Sequence, residues 1–256
     1  MDHGVIAILI EQMEQVQAEH PGLELLCDID GMLCVRGPVG FTMDYDGHVI
    51  DDTYEIEIFV PEDFPESPPT VKETGGKIPE DFHQFQPSGT LCLGAPVEVR
   101  RRFAKHRSLI GFINDQIIPY LYSYSCFREH GMLPHGELDH GAAGLLHYYM
   151  EYFGTDLLAT LKLLKCLADN FAPPLGPCPC ESGRQLDECH GPKLDELRPH
   201  YQPKLFENEL RQMIKAARAA DIDLPNREVM PKRMWKRQQS RLRKQAMAEK
   251  QKGKKR

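Results

Sequence analysis

The spacing of apolar residues changes from helical to extended within the first sixty residues. Over residues 5–19, apolar side chains recur at intervals of three or four: Ile6, Leu9, Ile10, Met13 and Val16. This spacing predicts an amphipathic helix, which His20-Pro21-Gly22 would end. Short apolar runs over residues 23–28 and 32–37 flank the turn sequence Asp30-Gly31 and predict a strand pair.

The clearest strand is predicted at residues 54–60, where apolar and polar positions alternate. The prolines that follow it predict an extended crossing, after which Val71-Lys72 can form an edge strand. An irregular loop is predicted over residues 78–94. The remaining apolar spacing predicts helices at 108–124 (interrupted at Pro119), 141–153, 155–171 and 203–220.

Charge is distributed unevenly along the chain. Residues 231–256 contain twelve Lys or Arg and one acidic residue, so the formal charge of −7 leaves −18 for residues 1–230. Such a basic run is typical of a solvated helix or a frayed end, or of an arm that contacts RNA, the ribosome or an acidic partner. In the second case Trp235 could stack on a base; the tail could also fold back on the acidic body.

Composition favours a cytoplasmic protein without a membrane segment. The apolar run at residues 5–10 is short and is followed by Glu11 and Glu14, which predicts neither a signal peptide nor a transmembrane helix. The chain has eight cysteines. Five of them lie scattered in apolar surroundings, as reduced intracellular thiols do: Cys27, Cys34, Cys92, Cys126 and Cys166.

The other three cysteines and a histidine form two close pairs. Cys178 and Cys180 are separated by one residue, and Cys189-His190 follows after eight more. Three thiolates and an imidazole complete a closed tetrahedral shell, so the spacing predicts one structural zinc ion. The alternatives are a disulfide pair or four unrelated groups. The stretch resembles the SEC-C motif, the zinc motif at the C-terminus of the SecA translocation ATPase, although Glu181 stands where that family usually has glycine.

A second resemblance covers residues 5–125. It is carried by the strand and turn over residues 54–65, by Pro68-Pro69, and by His83 nine residues before Cys92 within Ser-Gly-Thr-Leu-Cys-Leu. In this order the marks resemble the ubiquitin-conjugating enzymes, in the divergent form found in bacterial operons. The resemblance implies an α+β fold, an antiparallel meander with flanking helices.

That resemblance also implies a chemistry. Cys92 would be the catalytic nucleophile that accepts a ubiquitin-like protein from its activating enzyme as a thioester, and His83 would brace the loop. Families of this fold usually follow the histidine with Pro and Asn, where this chain has Gln84 and Phe85. The alternatives are that Cys92 packs as a small hydrophobe and that the protein is a non-catalytic adaptor for protein, ribosome or RNA through the zinc knuckle and basic tail.

One further cluster precedes the helix at Gly141. His135, Glu137, Asp139 and His140 could form a second metal site or an acid–base group, but a cap at Asp139 or His140 explains them more simply. The predicted organisation is a ubiquitin-conjugating-like domain over residues 1–125, a helical extension over 126–172, the knuckle over 173–195, and a helix with the basic tail over 196–256.

Overall fold

The computed structural model of the protein describes residues 3–27, 32–45, 47–79, 82, 89–134, 141–170 and 176–253. The chain divides into two compact units, residues 1–137 and residues 138–256. Within the described residues, no helix is both long enough and apolar enough to cross a membrane.

The first unit begins with a helix and a four-stranded antiparallel sheet. The strands follow one another in the sheet in chain order. The elements are α1 (His3–Glu19), β1 (Glu24–Cys27), β2 (Leu33–Tyr45), β3 (His48–Val60) and β4 (Thr70–Glu73). The predicted mixed α+β class is therefore confirmed at the level of an antiparallel sheet with helices.

The strands β2 and β3 form a hairpin that is longer than its apolar pattern predicts. Pairing runs from Leu33 opposite Val60 to Tyr45 opposite His48, whereas the sequence predicted an end at Gly37. Gly37 suggests a turn in the sequence, but it lies inside β2. Its φ of 141° and its lack of a side chain allow the strand to pass close to the preceding turn at Gly22. A Cβ there would overlap the carbonyl oxygen of Gly22.

The core of the first unit lies between α1, the sheet and the later helices. Leu9, Met13 and Val16 of the predicted α1 stripe are buried, while Ile10 is 62% exposed. The later helices are α2 (Pro96–Phe103), α3 (Leu109–Phe112) and α4 (Ile118–His130), with a π turn over Ile113–Ile117.

Pro119 does not interrupt the helical path as predicted. A proline lacks the amide hydrogen and its ring crowds the carbonyl four residues earlier; here that carbonyl belongs to Asp115, inside the π turn. The wider turn accommodates the ring, so the chain stays helical from α3 into α4.

The second unit is helical in its described part. Its elements are α5 (Gly141–Phe153), α6 (Leu157–Ala168), α7 (Gly191–Leu197), a 3₁₀ turn (Arg198–His200), α8 (Pro203–Ala219), α9 (Asn226–Val229) and α10 (Lys232–Gly253). The helix α8 packs against α6 and α5. The predicted start of α6 at Thr155 moves to Leu157, because Asp156 caps the helix by accepting a hydrogen bond from the Ala159 amide at 2.8 Å.

Candidate functional site

The second unit brings the four sequence-predicted metal ligands together. The ligand atoms of Cys178, Cys180, Cys189 and His190 all lie within 4.8 Å of one another. The Sγ atoms of Cys180 and Cys189 are 3.6 Å apart, and His190 Nδ1 lies 3.2 Å from Cys178 Sγ and 3.3 Å from Cys189 Sγ. The chain therefore contains a three-cysteine, one-histidine group that could hold a metal ion.

A short hairpin holds the first two cysteines. The Cys178 amide donates to the Arg184 carbonyl at 2.8 Å, the Leu186 amide donates to the Gly176 carbonyl at 2.8 Å, and Pro177 pairs with Gln185. Glu181 turns the chain with a φ of 60°. This is the position at which the resembled motif usually has glycine, and it lies in the left-handed region that glycine adopts most easily.

A tight approach after the hairpin sets the position of the second pair. The Gly191 amide donates to the Leu186 carbonyl at 2.6 Å, and a Cβ on Gly191 would lie 2.8 Å from that carbonyl oxygen. Only glycine fits there without a shift. This contact places Cys189 and His190 opposite the hairpin, immediately before α7.

The imidazole is oriented by the end of α5. His190 Nε2 lies 2.9 Å from the carbonyl oxygen of Phe153, the last residue of that helix. Because a carbonyl only accepts, Nε2 carries the hydrogen and Nδ1 is the free nitrogen that faces the thiols. Histidine ligands of metals are commonly oriented by such a bond through the other ring nitrogen.

Lys193 supports the same helix end. Its Nζ donates to the carbonyl of Tyr152 at 2.7 Å and to that of Phe153 at 3.2 Å, and it lies 5.7 Å from the centre of the Tyr152 ring. A cation is favourable at a helix C-terminus, where the last carbonyls lack partners within the helix. The ligand cluster and α5 are thus joined through one histidine and one lysine.

The thiols lie in different local environments. Burial raises the pKa of Cys178 to about 12. For Cys180, desolvation works in the same direction, but hydrogen bonds from the Ser182 hydroxyl and backbone outweigh it and lower the pKa to about 6. Ser182 Oγ lies 3.1 Å from Cys180 Sγ and 3.5 Å from Cys189 Sγ, so it favours the thiolate that a metal requires.

The donor spacing fits a tetrahedral metal with sulfur ligands. A metal–sulfur distance of about 2.3 Å places the donor atoms of a regular tetrahedron about 3.8 Å apart. The closest donor pairs, at 3.2–3.6 Å, and the outer limit of 4.8 Å bracket that value. Three sulfurs and one nitrogen are a donor set that zinc commonly takes in closed, structural sites.

Cys92 lies in the first unit, in the segment between β4 and α2. Its neighbours fix the backbone: the Leu91 amide donates to the Val71 carbonyl at 2.7 Å, and Arg102 donates to the Leu93 carbonyl at 3.1 Å. The Leu91 side chain is 6% exposed, whereas Cys92 is only half-buried. The thiol therefore stands at the surface of a segment that is held on both sides.

The helix α4 lies beside the segment that precedes α2. Tyr120 is an electrostatic neighbour of Cys92, and burial, with Cys92 as a smaller contributor, raises the pKa of its phenol. Tyr124 donates to the Lys77 carbonyl at 2.7 Å, and its ring centre lies 4.6 Å from that of Phe82. Tyr124 thus contacts this segment, and Tyr120 lies close enough to Cys92 for the two groups to interact electrostatically.

The carboxylate of Asp52 joins the C-terminal half of α4 to the sheet. Asp52, in β3, accepts hydrogen bonds from Lys77 at 2.8 Å, from Ser125 at 2.8 Å and from Arg128 at 2.9 Å. Partial burial opposes ionisation of Asp52, but the bonds from Lys77 and Ser125 outweigh it and hold the pKa well below its usual value. Tyr54 completes the group, since its hydroxyl lies 2.6 Å from Ser125 Oγ.

Some sequence predictions fall outside the described residues: the turn at Asp30-Gly31, His83, and the cluster of His135, Glu137, Asp139 and His140. The roles assigned to them stay predictions. Sequence reasoning also missed three groups that surround the metal ligands, namely Ser182, the Phe153 carbonyl and Lys193. Of these, only Ser182 had a local signal, because it lies two residues after Cys180.

Comparison with known proteins adds no relative. No family model, no curated protein and no solved structure matches the chain.

Proposed function

We propose that the protein is a carrier of a ubiquitin-like protein, which it holds as a thioester on Cys92 and passes to an amine, and that its second unit contains a structural zinc site. The observation that carries the proposal is the position of Cys92. It is a half-buried thiol that follows a four-stranded antiparallel meander, in a segment anchored to β4 and to α2.

The chemistry requires a thiol and little else from the chain. The Cys92 thiolate attacks the thioester carbonyl of the ubiquitin-like protein on its activating enzyme; a new carbon–sulfur bond forms and the enzyme's thiolate leaves. An amine of the acceptor then attacks the Cys92 thioester, an amide forms, and Cys92 leaves as thiolate and regains a proton. A thioester is reactive enough for the second step without further activation.

The anchored segment supplies positioning for this transfer. Leu91 and Leu93 fix the backbone on either side of Cys92 through the Val71 carbonyl and Arg102. A fixed backbone with an accessible sulfur lowers the entropic cost of bringing carbonyl and thiolate together. In the resembled family the histidine before the cysteine braces the loop, and His83 is proposed for that role here.

The zinc ion has a structural role in this proposal. Cys178, Cys180, Cys189 and His190 would be its four ligands. Four protein ligands leave no position for a substrate, so the ion would order the knuckle and fix the end of α5 through His190.

Trapping on Cys92 tests the carrier function. Wild type, Cys92→Ala and Cys92→Lys would be incubated in native host lysate, with and without ATP and Mg²⁺, because a free carboxylate needs activation before it can form a thioester. We expect an ATP-dependent adduct on wild type that thiol removes, no adduct on Cys92→Ala, and a thiol-resistant adduct on Cys92→Lys. Mass spectrometry of the adduct identifies the donor.

The exposed Cys27 provides a matched control, since Cys27→Ala and Cys27→Lys change an accessible thiol on β1. Both should behave as wild type. An adduct that persists on Cys92→Ala contradicts the proposal. So does the absence of any adduct on wild type when the activating enzyme is shown to be active in the same lysate.

The second candidate is a non-catalytic adaptor, and the exposure of the knuckle favours it. Residues 181–185, on the outer side of the hairpin, are all exposed. As an adaptor, the protein would keep its noncovalent partners when Cys92 is changed to alanine and lose them when Cys189 is changed to alanine. As a carrier, the protein would instead lose its covalent adduct when Cys92 is changed to alanine and keep it when Cys189 is changed. The same two variants therefore separate the two functions.

A further inference from the structure

The basic tail forms a helix whose beginning is anchored on the second unit. The Lys232 amide donates to the Asp169 carboxylate at 2.7 Å, at the end of α6, and a carboxylate at this position also favours the helix dipole. Trp235, Gln238 and Gln239 are half-buried. From Ser240 to Lys244 every side chain is exposed, so α10 leaves the body of the unit after about two turns.

Cations cover one side of this helix. At 100° per residue, the basic residues that precede Gln245 fall within an arc of about 180°, and all of them are exposed: Lys232, Arg233, Lys236, Arg237, Arg241, Arg243 and Lys244. The opposite half of the helix surface contains Trp235, Gln238, Gln239 and Leu242. The anchored stripe is therefore neutral, and the positive face points to solvent.

The positive face is not neutralised within the described part of the second unit. Arg233, Lys236, Arg237, Arg241 and Arg243 have no ion pair with a described acidic side chain of that unit. Cations elsewhere in the second unit do find partners; Lys162, for example, pairs with Glu228 at 2.8 Å. The α10 face is thus available to an external anion.

We infer that α10 is a binding surface for the phosphate backbone of a nucleic-acid duplex. A duplex presents about one negative charge per 1.7 Å along its axis, and the exposed basic residues from Lys232 to Lys244 form a cationic face about 18 Å long. Binding would release counterions from the duplex, which supplies the driving force without any base contact. Trp235 is half-buried on the neutral side of α10, so it is not part of this surface.

A lipid surface fits this helix less well. Insertion into a membrane interface needs a continuous apolar face opposite the cations. Among the described side chains of α10, the large apolar ones that are exposed are Leu242 and Met247, at 51% and 66% exposure, and their positions differ by about 140° around the helix. Met247 thus lies on the basic side, and the two do not form one face.

A charge-removal pair tests the inference. One variant of the full chain combines Arg237→Gln, Arg241→Gln and Lys244→Gln on α10. The control combines Lys204→Gln, Lys215→Gln and Arg227→Gln, which removes the same charge from exposed positions of the same unit. Fluorescence anisotropy with 20-base-pair RNA and DNA duplexes, from 50 to 200 mM salt, measures affinity and its salt dependence.

We expect the α10 variant to bind at least about tenfold more weakly at 100 mM salt and its log–log salt slope to become shallower by about 2 to 3, since each lost phosphate contact removes about 0.9. The control should stay within about twofold of wild type. A difference between RNA and DNA identifies the preferred duplex.

Equal losses in both variants overturn the inference, and so does binding of wild type to phosphatidylserine vesicles but to neither duplex. Cys92→Ala should bind as wild type, which separates this inference from the proposed carrier function.

Discussion

The two units hold their polar groups together in different ways. In the first, Asp52 joins β3 to α4 by hydrogen bonds with Lys77, Ser125 and Arg128, so its charges are paired within the chain. In the second, the knuckle gathers Cys178, Cys180, Cys189 and His190 within 4.8 Å without an opposing cation among them. Thiolates this close repel one another unless a metal ion compensates them. The first unit should therefore fold without metal, whereas the second should depend on it.

The same contrast appears between two buried carboxylates. Asp52 faces two cations, and its pKa is lowered despite partial burial. Within the described residues, Glu209 of α8 accepts hydrogen bonds from neutral groups alone, the hydroxyls of Tyr149 at 2.6 Å and Tyr201 at 2.8 Å, and burial raises its pKa. Paired cations make a buried carboxylate favourable in its ionised form, whereas two phenols offset its desolvation only in part.

Loss of a metal ligand should have the largest effect. Changing Cys178 or Cys189 to alanine should abolish stoichiometric metal binding and destabilise the second unit by several kcal/mol, because metal affinity is folding free energy in such sites, on the order of 10 kcal/mol. Hydrogen exchange read by mass spectrometry should show lost protection over α5 to α8 and unchanged protection over the sheet of the first unit.

Cys166 provides the control for this prediction. It is a half-buried thiol of α6, burial raises its pKa, and it is not part of the ligand group. Cys166→Ala should retain the metal. Loss of protection in both units on changing Cys178 would contradict the contrast between them.

Changing Asp52 to asparagine should destabilise the first unit by about 2 kcal/mol, because charge-assisted hydrogen bonds at a buried carboxylate are lost. Denaturant titration followed by exchange at the sheet amides measures the effect. The neighbouring Asp51 is exposed, and within the described residues its side chain accepts a hydrogen bond from Thr42 at 3.2 Å, so Asp51→Asn should change stability by less than about 0.5 kcal/mol. Equal losses of stability for the two changes would show that the hydrogen bonds of Asp52 stabilise the first unit no more than those of an exposed carboxylate.

Acid should weaken the same group. Because the folded pKa of Asp52 lies below its usual value of 3.8, its contribution is present above pH 3.8 and is lost as the pH falls through the folded pKa. The stability difference between wild type and Asp52→Asn should therefore be constant from about pH 5 to 7 and shrink below pH 4. A difference that grows in acid would contradict the sign.

The smallest effect is expected at Glu209. Its pKa is raised from 4.5, so its contribution is fully present below pH 4.5 and is lost as the pH rises through the folded pKa. At neutral pH, Glu209→Gln should therefore cost less than about 1 kcal/mol or stabilise the second unit, since the amide oxygen can still accept from a tyrosine. Thermal unfolding at pH 5 and pH 8 checks this; a loss as large as that of Asp52→Asn would contradict it.

Local patterns predicted more of the fold than of the contacts around the site. Three predictions rest on patterns within short segments: the apolar stripe of α1, the alternation of β3 and the spacing of the four candidate metal ligands. The structure has the helix, the strand and the ligand group at these positions. The helix α2 was missed because only Val97 and Phe103 of its eight residues are buried, which leaves no helical period to read. The predicted strand ended at Gly37 because glycine is typical of turns, whereas β2 continues to Tyr45.

The groups that surround the four candidate metal ligands could not be predicted from the sequence, for a physical reason. The Phe153 carbonyl lies 37 residues before His190 and is an ordinary main-chain atom, available only because α5 ends there. Lys193 acts on the same helix end. Partners of this kind depend on tertiary packing, which spacing and residue type do not encode locally.

The most direct test of the account is the metal content and coordination of the purified full chain. Native mass spectrometry should find one zinc ion per chain, and X-ray absorption should find three sulfurs at about 2.3 Å and one nitrogen at about 2.0 Å. Metal-free protein that is 2 Da lighter than the fully reduced chain, with Cys180 joined to Cys189, would contradict the account.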